Sequence, residues 1–199
     1  MAEFLAALRG EHEKFARLLD AVDEQIQQWE AGITVDYELI GEIVEYFLGF
    51  PDTTHHPKED MLYRKLLERA PQEAAAIGDL TREHETLGKR AREFAAAIRA
   101  VLADAFVPRD ALAGWARGFV DLQRRHIAGE EVIFFRVAEL RLRPEDWDEL
   151  SWRLCEHQAS ATRDSKRNGF PSQSQNMLGW QTRAGGTVSD SFMRPVYCC

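Results

Sequence analysis

Apolar positions through the first three-quarters of the chain recur every three or four residues, the spacing of one face of an α-helix. Over residues 3–30 they are Leu5, Leu8, Phe15, Leu19, Val22, Ile26 and Trp29, and His12 fills the one gap in the series. Alternating steps of three and four are those of a helix seated in a bundle, and Gly32 predicts its end. A second run from Asp36 carries Tyr37, Ile40, Val44, Leu48, Pro51, His55, Glu59, Leu62 and Leu66. Pro51 and Pro57 predict a bend near His55, because an interior proline removes a helical hydrogen bond. A third run, 72–103, carries Ile77, Leu80, His84, Leu87, Ala91, Phe94, Ile98 and Val101. A fourth, 109–142, carries Leu112, Trp115, Phe119, Leu122, His126, Glu130, Ile133, Val137 and Leu140. Pro144-Glu145-Asp146 then predicts the start of a short fifth helix, with proline and acids in the first turn.

The pattern predicts an all-α chain: an up-down-up-down four-helix bundle over residues 1–157 with a short fifth helix. From 158 to 199 the periodicity is lost and Ser, Gly, Gln, Asn and Thr dominate. That composition predicts a disordered C-terminal tail.

Composition narrows the function by exclusion. The net charge of -8 supplies no basic face for a nucleic acid. No apolar run approaches the roughly 18 residues of a membrane span. The start, Met1-Ala2-Glu3-Phe4, has no basic-then-apolar leader. The cysteines, Cys155, Cys198 and Cys199, form no disulfide framework and fit a reducing cytoplasm.

The chemistry lies in the polar residues that interrupt the apolar faces: His12, His55, Glu59, His84, His126 and Glu130. The chain repeats itself around them. Leu8-Arg9-Gly10-Glu11-His12-Glu13 matches Leu80-Thr81-Arg82-Glu83-His84-Glu85, and His55/Glu59 matches His126/Glu130. The connections centre near residues 33 and 105, and each of the four histidines lies 21 or 22 positions from its connection. In antiparallel hairpins equal distance means equal height, about 1.5 Å per residue, so the four share a layer. The glutamates stand one turn further along. A carboxylate on a buried face costs several kcal/mol unless paired or bound to a cation. Six such groups in one layer predict a metal site in the bundle core. His12 and His55 would hold one ion and His84 and His126 a second, with Glu59 and Glu130 bridging. His56 is expected to face away. Imidazole with carboxylate and no thiolate suits iron, manganese or zinc. Leu8, Phe15, Leu62, Leu80, Leu87, Leu122, Ile133 and Phe134 would enclose the open coordination positions in apolar surroundings.

His12, the His55-His56-Pro57-Lys58-Glu59-Asp60 run, Arg82-Glu83-His84-Glu85 and His126-x-x-x-Glu130 together resemble the hemerythrin-like, HHE cation-binding family over about residues 3–155. The resemblance implies a four-helix bundle with a non-haem di-iron centre, two iron ions held by those six residues. It differs from the oxygen-carrying members at Gly88, where they have a further histidine, and at Phe134-Phe135-Arg136, where related bacterial proteins often have proline. The implied partner is a small diatomic or peroxide ligand, bound or sensed. The alternatives are a di-iron oxidoreductase that decomposes peroxide or reduces NO, and an iron-storage or iron-sensing module.

Overall fold

The computed structural model describes residues 2–168, and within them the chain is helical with no strand. α1 spans Ala2–Glu30 and closes as the sequence predicts. The amide of Ile33 donates to the Gln28 carbonyl at 2.9 Å and that of Gly32 to Trp29 at 3.1 Å. This is the double bond of a left-handed helix cap, with Gly32 at φ 75°. α5, Leu80–Leu102, closes the same way through Ala105 and Ala100 at 2.9 Å. There Asp104 adopts the left-handed conformation, φ 56°.

The second run is broken where its prolines fall. α2 (Tyr37–Phe50) opens on Asp36, whose side chain accepts from the Leu39 amide. It passes into a π-helical turn at Pro51–His55 and resumes as α3, His56–Arg69. The third run is two helices, not one. Pro71 begins a short α4 (Pro71–Ile77), Gly78 turns the chain at φ 107°, and Asp79 caps α5 through the Arg82 amide at 3.1 Å. Ile77 therefore does not share a helix with Leu80.

In the fourth run α6 (Arg109–Gly129) gives way to a second π-helical turn at Glu130–Phe134, followed by α7 (Phe135–Arg141). A π turn inserts one residue into the helical ladder, and the buried face moves by one position. Ile133 and Leu140 were expected inside but are 52% and 66% exposed; Phe134, Phe135 and Ala138 are buried instead. Trp115 is also on the outside, with Ala116 in the inward place.

α1 packs on α6 and α2, α2 on α5, and α5 on α6. Phe15, Phe47, Phe94 and Phe119 meet at the centre, Phe47 against Phe119 at 5.2 Å and Phe94 against Phe119 at 5.5 Å. α8 runs Pro144–Asn168, from the predicted start but well past the predicted limit near 157. Its first turn is fixed by Asp146, which accepts from Arg69 at 2.7 Å and from the Arg143 amide at 3.0 Å. The remainder of the expected tail, from 169, lies outside the described residues. By contacts the chain divides into two compact units, Met1–Leu150 and Ser151–Cys199; everything described below lies in the first. No helix among the described residues is long and apolar enough to cross a membrane.

Gly32→Ala should destabilise the first unit by about 1 kcal/mol, since a β-carbon is strained at positive φ. Urea unfolding followed by circular dichroism measures it, and an unchanged midpoint would show that the cap does not depend on glycine.

Candidate metal centre

The helices bring all six sequence-predicted residues together. His12 comes from the middle of α1, His55 from the end of the first π turn, Glu59 from α3, His84 from α5, His126 from α6 and Glu130 from the start of the second π turn. All six are buried; Glu59 is fully excluded from solvent and Glu130 is 2% exposed.

Each carboxylate reaches both sides of the layer. Glu59 Oε1 is 3.0 Å from His55 Nε2 and 3.5 Å from His12 Nε2, and its Oε2 is 3.5 Å from His84 Nε2. Glu130 Oε2 is 3.3 Å from His12 Nε2, while its Oε1 lies 3.2 Å from His126 Nε2 and 3.8 Å from His84 Nε2. These atoms are near one another but not aligned for hydrogen bonding. Both oxygens of each glutamate, and Nε2 of His84 and His126, are buried without a hydrogen-bond partner. His12 Nε2 and His55 Nε2 face each other at 3.0 Å.

The outer ring nitrogens explain which nitrogen points inward. His12 Nδ1 is 2.8 Å from Glu131, His55 Nδ1 2.8 Å from Glu11, and His126 Nδ1 3.2 Å from Glu83. A carboxylate on Nδ1 holds the proton there and leaves Nε2 as a lone-pair donor. Lys58 is buried and pairs with Glu11, not with the central carboxylates. Arg9 supports Glu131 at 3.1 Å. Inward lone pairs, unsatisfied carboxylate oxygens and fixed tautomers fit a metal ion, since stranding these groups without one costs about 1–3 kcal/mol apiece or more.

The chain can now be set beside known proteins. The family model for the hemerythrin HHE cation-binding domain matches residues 3–138. The chain belongs to the hemerythrin HHE cation-binding family. Neither a curated protein nor a solved structure matches it.

Seen as an HHE domain, the site holds one residue that sequence reasoning turned the wrong way. His56 is buried, not outward, and its ring stacks on His84 with centroids 3.8 Å apart and planes 5° from parallel. Its Nδ1 lies 3.0 Å from Asp52. The groups that could each hold an ion are His12, His55, Glu59 and Glu130, and His56, Glu59, His84 and His126. The signal was present: His56 stands three residues before Glu59 and His55 four, and both spacings share a helical face. Phe135 was also missed as part of the site; it stacks on His12 at 5.4 Å, 6° from parallel.

Electrostatics separate the imidazoles. Burial opposes a charge on His12, but Glu130 and Glu59 outweigh it and push its pKa up to about 10. Burial, with His84 alongside, takes His56 down to about 2, so it is a neutral donor. Burial works against the Glu59 anion, yet His55 and His12 hold its carboxyl well below the usual range. Protons and metal therefore compete for His12. Because its pKa is raised, the proton is held at neutral pH and released only as pH climbs towards that value. Metal affinity should keep rising between about pH 6 and 9, beyond the point where an ordinary imidazole levels off. Zinc titration in a pH series measures this, and a plateau near pH 7 would contradict it.

Proposed function

We propose that the chain is a four-helix, up-down-up-down HHE domain holding a non-haem di-iron centre that binds or senses a small oxidant, O2, NO or peroxide. The observation that carries this reading is the pair of buried glutamates whose four oxygens have no hydrogen-bond partner and face both halves of the layer. In this reading His12 and His55 would hold one ion and His84 and His126 the other, with Glu59 and Glu130, which face both halves, available to each. His56 joins the second half. Iron suits the mixed imidazole and carboxylate set, with manganese and zinc as alternatives. The ions would supply Lewis acidity and one-electron chemistry. The chain supplies two fixed carboxylates between the ions, imidazoles oriented by outer carboxylates, and an apolar enclosure that limits water. Glu11 with Lys58 and Glu131 with Arg9 hold His55 and His12 in place.

Two further readings, an oxidoreductase acting on peroxide or NO and an iron store or sensor, differ in observable ways. The purified protein would be assayed for iron, and the spectrum of its reduced form recorded before and after O2. About two irons per chain and a reversible spectral change support binding or sensing. Sustained gas evolution with peroxide favours the enzyme. Iron well below two per chain at saturation ends the di-iron reading. Glu59→Ala should empty both positions, because it faces both; His56→Ala should lower occupancy of one. Metal content by elemental analysis checks the pair, and a His56→Ala protein with wild-type affinity at both positions would put that histidine outside the coordination set.

A further inference from the structure

A cavity of about 620 Å³ lies between α5 and the α6–π-turn segment. It sits beside the metal layer and does not lead into it. His84 is not in its wall, and the inward nitrogens of His84 and His126 and both oxygens of Glu130 are closed off from solvent. An occupant of this cavity would therefore not reach the ions. Its size is that of a site for a small organic molecule, for which pockets run from about 300 to 1,000 Å³.

The wall has an apolar floor and a charged rim. Leu80, Leu87 and Phe134 are buried at the floor, with Leu122 half-buried beside them. The second π turn contributes to this floor by carrying Phe134 inward. Asp79, Arg82, Glu83, Thr86 and Arg125 are the exposed residues of the rim. The two signs of charge there are not equally free. Asp79 accepts from the Arg82 amide at 3.1 Å as the cap of α5, and Glu83 lies 3.2 Å from His126 Nδ1. The guanidinium groups of Arg82 and Arg125 have no ion pair and no hydrogen bond among the described residues. Arg124, next in the chain, is held by Asp20 and Asp23.

A free guanidinium offers a planar fork of donors that matches an oxyanion. A buried apolar floor favours hydrocarbon. A bare inorganic anion would gain nothing from the leucines, and a hydrocarbon would leave both arginines unanswered. We propose that the cavity binds a soluble organic anion. Arg82 and Arg125 hold its oxyanion at the rim, and a short apolar body lies on Leu80, Leu87, Leu122 and Phe134. The site is separate from the metal centre and does not require the ions.

Hexanesulfonate is a suitable probe, because a sulfonate carries the charge and is a poor ligand for metal ions. Its binding to the full chain would be measured by isothermal titration calorimetry beside three others. Methanesulfonate lacks the body, 1-hexanol lacks the charge, and hexylammonium reverses it. Hexanesulfonate should bind about tenfold tighter than methanesulfonate, since each methylene taken from water is worth roughly a factor of three. It should bind about fivefold tighter than 1-hexanol, the scale of contacts to exposed charges, and hexylammonium should bind weakest of the six-carbon probes. Arg82→Ala combined with Arg125→Ala, both at exposed positions, should abolish the preference for sulfonate over alcohol and leave hexanol binding unchanged. Thr86→Trp, which adds bulk from the exposed edge of the wall, should weaken both. Hexanesulfonate binding no tighter than methanesulfonate or 1-hexanol would overturn the proposal, and so would a double variant that keeps the preference. Wild-type affinity in a folded Thr86→Trp chain would place the molecule elsewhere and refute it as well.

Discussion

Two carboxylates in the middle of an apolar bundle are the constraint on which the rest of this structure depends. Glu59 and Glu130 lose nearly all contact with water, and desolvation of that kind costs several kcal/mol for each ion. Among the described residues no lysine or arginine pairs with them. Lys58, buried next to Glu59 in the chain, turns to Glu11 instead. Imidazoles are all that faces them, and His12, His55 and His126 are committed through Nδ1 to other carboxylates. The arrangement makes chemical sense as a set of donors around cations. Without them, protons must fill the role, which is why His12 is pushed up to about 10.

The outer carboxylates extend that logic to the surface. Glu11 and Glu131 each stand between an inward-facing histidine and a basic side chain, so charge alternates outward from the centre. Such chains fix ring orientation and tautomer at once. They also explain the run Glu11-His12 in α1. The two side chains diverge, His12 into the layer and Glu11 towards His55 on the neighbouring segment. Adjacent residues on one helix thus serve two different histidines.

Much of the site was legible because helical periodicity converts sequence spacing into direction. His12, His55, His84, His126, Glu59 and Glu130 each interrupt an apolar series, and their common height follows from counting residues to the connections. Helix ends were legible where glycine or proline forces them, as at Gly32 and Pro144. What escaped was the local change of pitch. Nothing in Glu130-Glu131-Val132-Ile133-Phe134 announces a π turn, and one inserted residue exchanges Ile133 for Phe134 on the buried face. His56 escapes for a related reason: a single strict seam through His55 excludes it, although a glutamate one turn away accommodates neighbours at both three and four residues.

The two π turns also decide how far the internal repeat holds. In sequence, His55 and Glu59 correspond to His126 and Glu130, and the halves look equivalent. In the structure the first π turn precedes Glu59 and ends on His55, whereas the second begins on Glu130 and follows His126. The extra residue therefore falls on opposite sides of the matched pair. Before the pair, it leaves His55 at the end of the turn and His56 at the start of α3, both buried. After the pair, it rotates α7 so that Phe135 reaches His12 and Phe134 lines the open cavity. A symmetric ligand list is thereby housed in an asymmetric shell. One half gains a further imidazole, and the other gains aromatic rings packed on His12 and His55. The two groups of donors that could hold an ion, matched in sequence, thus differ in their surroundings, and the difference comes from backbone pitch.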